Sequence, residues 1–130
     1  MQKDLVLRMF PNFRYSFTEG EYELYDLGIK ITSTYDYKQR LAFKNNVLKS
    51  IGYCYFYKSQ ESRDKDLPSL LEFVSTLIPE QYVSKGNKIK EYENTTWICW
   101  DCDDYYYALI IYNEISEDKL WVVTITKYSY

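Results

Sequence analysis

Residues 95–128, TTWICWDCDDYYYALIIYNEISEDKLWVVTITKY, decide the fold. Three runs in this segment, 95–101, 105–113 and 119–128, are rich in aromatic and β-branched residues and predict strands. The connections 102–104 and 114–118 are too short for a crossover, so neighbouring strands must run antiparallel. The middle run is apolar on both faces, which predicts a central strand that is covered on both sides.

One helix is predicted before this segment. Leu67-Pro68 places a proline in the first turn, where its missing N–H costs nothing. An apolar stripe at helical spacing follows, made by Leu70, Leu71, Phe73, Val74, Leu77 and Ile78. The polar residues 58–66 are expected to form a loop, and Pro79 is expected to end the stripe or to start one more turn.

The N-terminal half is predicted to contain strands. Residues 13–17 alternate apolar and polar side chains, Glu19-Gly20 indicates a turn, and 53–57 is a strand by composition. Gly28 is expected to produce a bulge before Ile29 and Ile31, whose side chains are expected to share one face.

Residues 35–51 allow two interpretations. The favoured one is a helix capped by Asp36 and ended by Gly52. The alternative makes 40–43 a strand and Asn45-Asn46 a turn. Under either interpretation the predicted fold class is α+β: an antiparallel twisted sheet with one or two helices packed on one face. We expect a single domain that spans residues 1–130.

Composition limits the possible chemistry. The chain has 130 residues, a formal charge of −3, three cysteines, 16 tyrosines and no histidine. The missing histidine removes Ser-His-Asp and Cys-His nucleophile systems and any imidazole acid or base. No apolar run is long enough to span a membrane, and the three-residue apolar run within residues 1–8 is too short for the hydrophobic region of a secretory signal, so we expect a cytoplasmic protein without a membrane partner. The negative net charge does not favour a nucleic-acid partner.

Two motifs have residue types that could form a chemical site. Cys99 and Cys102 form a C-x-x-C pattern, but it lies in a β run beside aspartates that would raise a thiol pKa, and residues three apart on a strand point to opposite faces. The aspartates Asp101, Asp103 and Asp104 lack the glycine and the distal glutamate of a calcium loop. We therefore expect no catalytic residue, no metal and no cofactor.

The strongest functional signal is a charge block. Residues 91–118 contain eight carboxylates and no lysine or arginine, interleaved with tyrosine and tryptophan. Carboxylates beside aromatic rings suit a basic protein partner, because the acids steer a cation and the rings supply contact area. The predicted binding residues are Asp101, Asp103, Asp104, Glu114, Glu117, Asp118, Trp100, Tyr105 and Tyr106.

In size, charge, single-domain build and acidic aromatic character the chain resembles small acidic bacterial immunity proteins and phage-encoded inhibitors. This resemblance is of class only and transfers no functional residue. It implies a non-enzymatic inhibitor that neutralises a cationic toxin such as a nuclease. Two alternatives stay open: a small-ligand binder or enzyme with a tyrosine-lined pocket between sheet and helix, and a homo-oligomeric structural protein.

Overall fold

The chain folds as an α+β protein around one antiparallel sheet. The computed structural model describes residues 1–130, apart from the side chain of Ile29. The helices are α1 (Lys3–Met9), α2 (Gln60–Leu77) and α3 (Glu80–Ser84). The strands are β1 (Arg14–Glu19), β2 (Tyr22–Ile31), β3 (Tyr35–Lys44), β4 (Val47–Tyr57), β5 (Lys88–Glu91), β6 (Thr95–Asp101), β7 (Tyr105–Tyr112) and β8 (Trp121–Ser129).

The eight strands lie in the order β1-β2-β3-β4-β8-β7-β6-β5, and all neighbours are antiparallel. Two four-stranded meanders, β1–β4 and β5–β8, therefore meet at the β4–β8 pair, and α2 leads from one to the other. The predicted fold class is confirmed, and so are the three C-terminal strands. The short connections forced this arrangement, since they leave no length for a crossover.

Alternation along the strands gives the sheet two different faces. Tyr55, Leu109 and Ile125 point to one side, where they form a core with Leu70 and Val74 of α2. On the same side, α1 packs Val6 against Leu41 and Phe43 of β3. We call this side the covered face. The neighbouring residues in each strand point to the opposite side, the open face, which none of the three helices crosses within the described structure.

The prediction that β7 is covered on both sides is confirmed, although none of the described helices covers its open face. Ala108 and Ile110 point to the open face, yet they are only 0% and 2% exposed. Strands β6 and β8 are about 10 Å apart across β7, but the ring centroids of Trp97 on β6 and Tyr128 on β8 are 6.1 Å apart. The two rings thus lean over β7 and exclude water without a helix.

The favoured helix at 35–51 is also wrong, and the alternative with a turn is the observed structure. Asn45 and Asn46 have φ values of 51° and 61°, the conformation of the tight turns that join antiparallel strands. Tyr37 and Leu41 are four residues apart, a spacing that fits one face of a helix, but it also fits one face of a strand: Tyr35, Tyr37 and Leu41 all face the helices. The local sequence allows both a helical and a strand periodicity, and the pairing of β3 with β2 and β4 decides for the strand.

Helix α2 begins before the predicted position. Ser59 caps it by accepting a 3.1 Å hydrogen bond from the backbone nitrogen of Ser62, so residues 60–66 are helical and Pro68 lies inside the helix. Arg63, only 4% exposed, donates to the carbonyl oxygen of Tyr112 at 2.6 Å and lies over the Trp121 ring. This buried cation anchors a polar segment that was expected to be a loop.

Two smaller predictions fall on β2 and α3. The register of β2 shifts between Leu27 and Lys30, which confirms the bulge at Gly28. The expectation that the side chains of Ile29 and Ile31 share one face stays a prediction, because the Ile29 side chain lies outside the described residues. Pro79 starts the short helix α3, as one of the two predicted options required.

Candidate functional site

The predicted acidic residues do not form one surface. Asp101, Asp103 and Asp104 lie at the β6–β7 turn, whereas Glu114, Glu117 and Asp118 lie in the β7–β8 connection. All six are exposed, but the eight residues of β7 separate the two groups by roughly 25 Å. The charge block of the sequence is thus corrected to two separate acidic groups at opposite ends of a strand.

The predicted aromatic residues also divide. Trp100 is 4% exposed and belongs to the core beneath the helices, so its place on a binding surface is corrected. It is an even-numbered residue of β6, whose even positions face the covered side. Tyr105 also faces that side, where Lys127 lies 4.3 Å from its ring centroid. Tyr106 alone points to the open face, where its ring stacks on Tyr128 at 4.9 Å.

The β6–β7 turn keeps acids and rings together on a smaller scale. The Tyr82 hydroxyl donates to Asp103 Oδ2 at 2.7 Å, and this bond raises the pKa of Tyr82 to about 12. The Tyr130 hydroxyl donates to Asp101 Oδ1 at 3.2 Å. Asp103 adopts a φ of 67°, a left-handed conformation that aspartate tolerates better than most residues.

The three cysteines show no feature of a reactive pair. Cys99 faces the open side and Cys102 lies in the core on the covered side, as strand geometry requires for residues three apart. Burial raises the pKa of all three thiols, which lowers the thiolate fraction at neutral pH. Among the described residues no group of three potential ligands is placed to hold a metal ion.

A tyrosine-lined pocket does lie between the sheet and α2. Tyr35, Tyr55, Tyr57 and Asp66 contribute to it, but its volume is about 230 Å³. Pockets that hold organic ligands usually measure about 300–1,000 Å³. Burial raises the pKa values of Tyr55 and Tyr57, and Tyr57 is 0% exposed, so these rings are parts of the core.

A larger cavity, of about 670 Å³, occupies the open face, and we call it the central cavity. Its floor consists of small residues from adjoining strands: Ala42 on β3, Gly52 and Cys54 on β4, and Thr124 and Thr126 on β8. The covered face of these same strands carries large side chains instead. The hollow therefore follows from an alternation of small and large residues along each strand.

The walls of the central cavity come from distant parts of the sheet. Glu19 at the end of β1 and Tyr112 at the end of β7 both line it, although four strands lie between their own. A sheet can bring such positions together only if its twist raises its diagonal corners toward one side. Tyr22 and Tyr128 complete the aromatic part of the wall.

An ion pair gives the central cavity a fixed polar group. Arg40 donates from Nε and Nη2 to the two carboxylate oxygens of Asp26 at 2.8 and 3.1 Å, and Lys38 lies 3.2 Å from the same carboxylate. Burial opposes the charged form of Asp26, but the hydrogen bonds and charges of Arg40 and Lys38 are stronger together and lower the pKa of Asp26. The Arg40 guanidinium also lies 5.1 Å from the centroid of the Phe17 ring. The cation is thereby held in one orientation.

A second open-face cavity, of about 650 Å³, lies beyond the stacked rings of Tyr106 and Tyr128, and we call it the lateral cavity. Its aromatic lining consists of Tyr92, Trp97, Tyr106 and Tyr130. Lys85, Lys88, Lys90 and Asp101 supply its charged groups.

The charge and aromatic patterns of the sequence predicted neither cavity, but the central cavity has a signal in the sizes of its residues. The alternation Gly52-Tyr53-Cys54-Tyr55 in β4 and Thr124-Ile125-Thr126 in β8 carries the signal. Small residues on one face of neighbouring strands indicate a hollow once the strand order is known.

Comparison with protein-family models, curated proteins and solved structures finds no match for this chain.

Proposed function

We propose that this chain is a non-enzymatic binding protein that holds a small organic ligand in the central cavity of its open face. One observation carries the proposal: the cavity has a floor of small residues and a wall of rings and hydroxyls, on the side of the sheet without helices. Its volume of about 670 Å³ lies within the usual range of ligand sites.

The chemistry of the lining favours a ligand with a ring and hydroxyl groups. Tyr22, Tyr112 and Tyr128 can stack on a flat or sugar-like ring. The hydroxyls of Ser50, Thr124 and Thr126, which also line the cavity, can exchange hydrogen bonds with ligand hydroxyls. This proposal keeps the tyrosine-lined pocket expected from the sequence but moves it to the other face of the sheet.

A panel of phenyl glycosides and free sugars, followed by amide NMR at millimolar concentration, tests the proposal. We expect saturable shifts at Gly52 and Thr126 and none in α2. Ser50→Phe should abolish them, because the ring enters the cavity from its lining. Ile51→Phe is the matched control, since the neighbouring side chain is exposed and points to the other face. Shifts confined to the helical side, or none with the whole panel, would contradict the proposal.

The β6–β7 turn supports a second candidate function, an inhibitor of a cationic protein. Asp103 and Asp104 are exposed, and among the described side chains neither forms an ion pair with lysine or arginine. Tyr82 and Tyr130 lie beside this turn. Carboxylates that are free to approach a basic partner accelerate association.

Charge reversal separates the two acidic groups. Asp103→Lys with Asp104→Lys should reduce the association rate with a captured cationic partner and its dependence on salt. Glu117→Lys with Asp118→Lys makes the same change of net charge at the other end of β7. Equal effects of the two double variants would show that net charge, and not the β6–β7 turn, governs binding.

A further inference from the structure

The lateral cavity has a charge that differs from that of the whole chain. The register places Lys88 opposite Cys99 and Lys90 opposite Trp97, so both lysines lie on the open face. Among the described side chains, neither these lysines nor Lys85 form an ion pair. The Lys85 ammonium lies over the Tyr82 ring, 5.2 Å from its centroid. A chain with a net charge of −3 thus presents the unpaired ammonium groups of Lys88 and Lys90 to this hollow.

The one carboxylate of this cavity is already engaged. Asp101 Oδ1 accepts hydrogen bonds from the Tyr130 hydroxyl at 3.2 Å and from the backbone nitrogen of Asp103 at 3.1 Å. Asp101 therefore positions the Tyr130 ring and the turn, and it offsets only part of the positive charge. An anion in the cavity would meet more cations than carboxylates.

The rings of the cavity are held in place before any ligand arrives. Trp97 donates from Nε1 to Thr95 Oγ1 at 3.0 Å, and its ring stacks on Tyr128 with an interplanar angle of 22°. The Tyr92 ring packs edge to face against Trp97. The Tyr106 ring stacks on Tyr128, the same ring on which Trp97 stacks. Fixed rings lose little entropy when a flat molecule packs against them.

We propose that the lateral cavity binds a small planar aromatic anion. Its ring packs against Trp97 and Tyr106, and its negative group lies beside Lys88 and Lys90. Rings supply contact area and stacking, and lysine supplies a mobile point charge for a carboxylate or phosphate. This site lies across the Tyr106–Tyr128 stack from the central cavity, so the proposal stands independently of the function proposed above.

The three tryptophans allow a direct test. Only Trp97 lines the lateral cavity, whereas Trp100 and Trp121 belong to the covered face. We expect adenosine 5′-monophosphate and indole-3-acetate to shift the indole N–H signal of Trp97 saturably and to leave the other two signals unchanged. The uncharged counterparts, adenosine and indole-3-acetamide, should bind several-fold more weakly. Trp97→Phe identifies the signal.

Paired lysine variants test the role of charge. Lys88→Gln with Lys90→Gln should weaken binding of both anions about fivefold to tenfold. Lys49→Gln with Lys58→Gln removes the same charge away from the cavity and should change little. If the double variant Lys88→Gln, Lys90→Gln binds the anions as tightly as the unmodified protein does, the proposal fails. The two lysines would then serve only to protect the exposed edge of β5 from pairing with another strand. The proposal also fails if neither anion shifts the Trp97 signal, or if the uncharged counterparts bind equally well.

Discussion

The two faces of the sheet are built from the same strands but differ in the size of their side chains. On the covered face, Tyr57, Leu109 and Ile125 fill the space beneath α2 and are 0% exposed. On the open face, the same strands β4 and β8 carry Gly52, Cys54 and Thr126, which leave a hollow. A helix requires the face beneath it to be filled, whereas an uncovered face can keep a cavity at little cost in stability.

Truncation of neighbouring buried residues gives the largest expected contrast. Leu109→Ala, on the covered face, should destabilise the protein by about 3 kcal/mol, because the packed helix cannot move into the gap. Ile110→Ala, on the open face, should cost about 2 kcal/mol or less, since none of the described helices seals this side of the sheet and water can enter the space. Urea unfolding measures both. Equal losses would show that the open face is packed as rigidly as the covered one.

Alkaline pH should reveal the buried tyrosines of the covered face. Burial raises the pKa of Tyr57 above its ordinary value of 10.0, so the folded state keeps a proton that the unfolded chain releases. Stability is unaffected below pH 10 and falls above it, by up to about 1.4 kcal/mol per pH unit for each such tyrosine.

Tyr57→Phe should therefore make the alkaline loss of stability shallower. Tyr106→Phe on the open face, where burial also raises the tyrosine pKa, is the comparison and should have a smaller effect. The measurement is the free energy of unfolding of the unmodified protein and of both variants between pH 9 and pH 12. An unchanged slope for Tyr57→Phe would contradict the burial of its hydroxyl.

The ion pair of the open face should give the smallest of these effects. Asp26→Asn removes the charge that holds Arg40 and Lys38, and we expect a loss of about 1 kcal/mol at neutral pH. The pKa of Asp26 is lowered in the folded state, so the stability it contributes is present above its ordinary value of 3.8 and is lost as pH falls through the folded value. The difference between Asp26→Asn and the unmodified protein should disappear in acid. A difference that persists at low pH would show that the pair acts through packing and not through charge.

Sequence patterns predicted β6, β7 and β8 well because the information for these three strands is local, whereas β5 was not predicted. The runs of β6, β7 and β8 alternate or are continuously apolar, and their short connections leave one possible direction. The sequence also indicated the Asn45-Asn46 turn, but the spacing of Tyr37 and Leu41 favoured a helix instead. Only pairing with β2 and β4 decides between the two periods, and pairing is not a local property.

The candidate site was harder to predict because it depends on which strands become neighbours. Trp100 and Tyr106 are both aromatic and close in sequence, yet strand alternation sends the first into the core and the second to the open face. The acids of residues 91–118 form one block in sequence, but the length of β7 divides them. The central cavity needs the order β3-β4-β8-β7, which no segment contains by itself.

The position of β8 has a consequence for how the molecule is made. Of the eight strands it leaves the ribosome last, yet it lies between β4 and β7 in the middle of the sheet. The first meander can pair as soon as β4 has emerged, but its inner edge stays unpaired until β8 arrives. During synthesis this half-sheet exposes a long strand edge, so nascent chains should depend on chaperones more than the finished protein does.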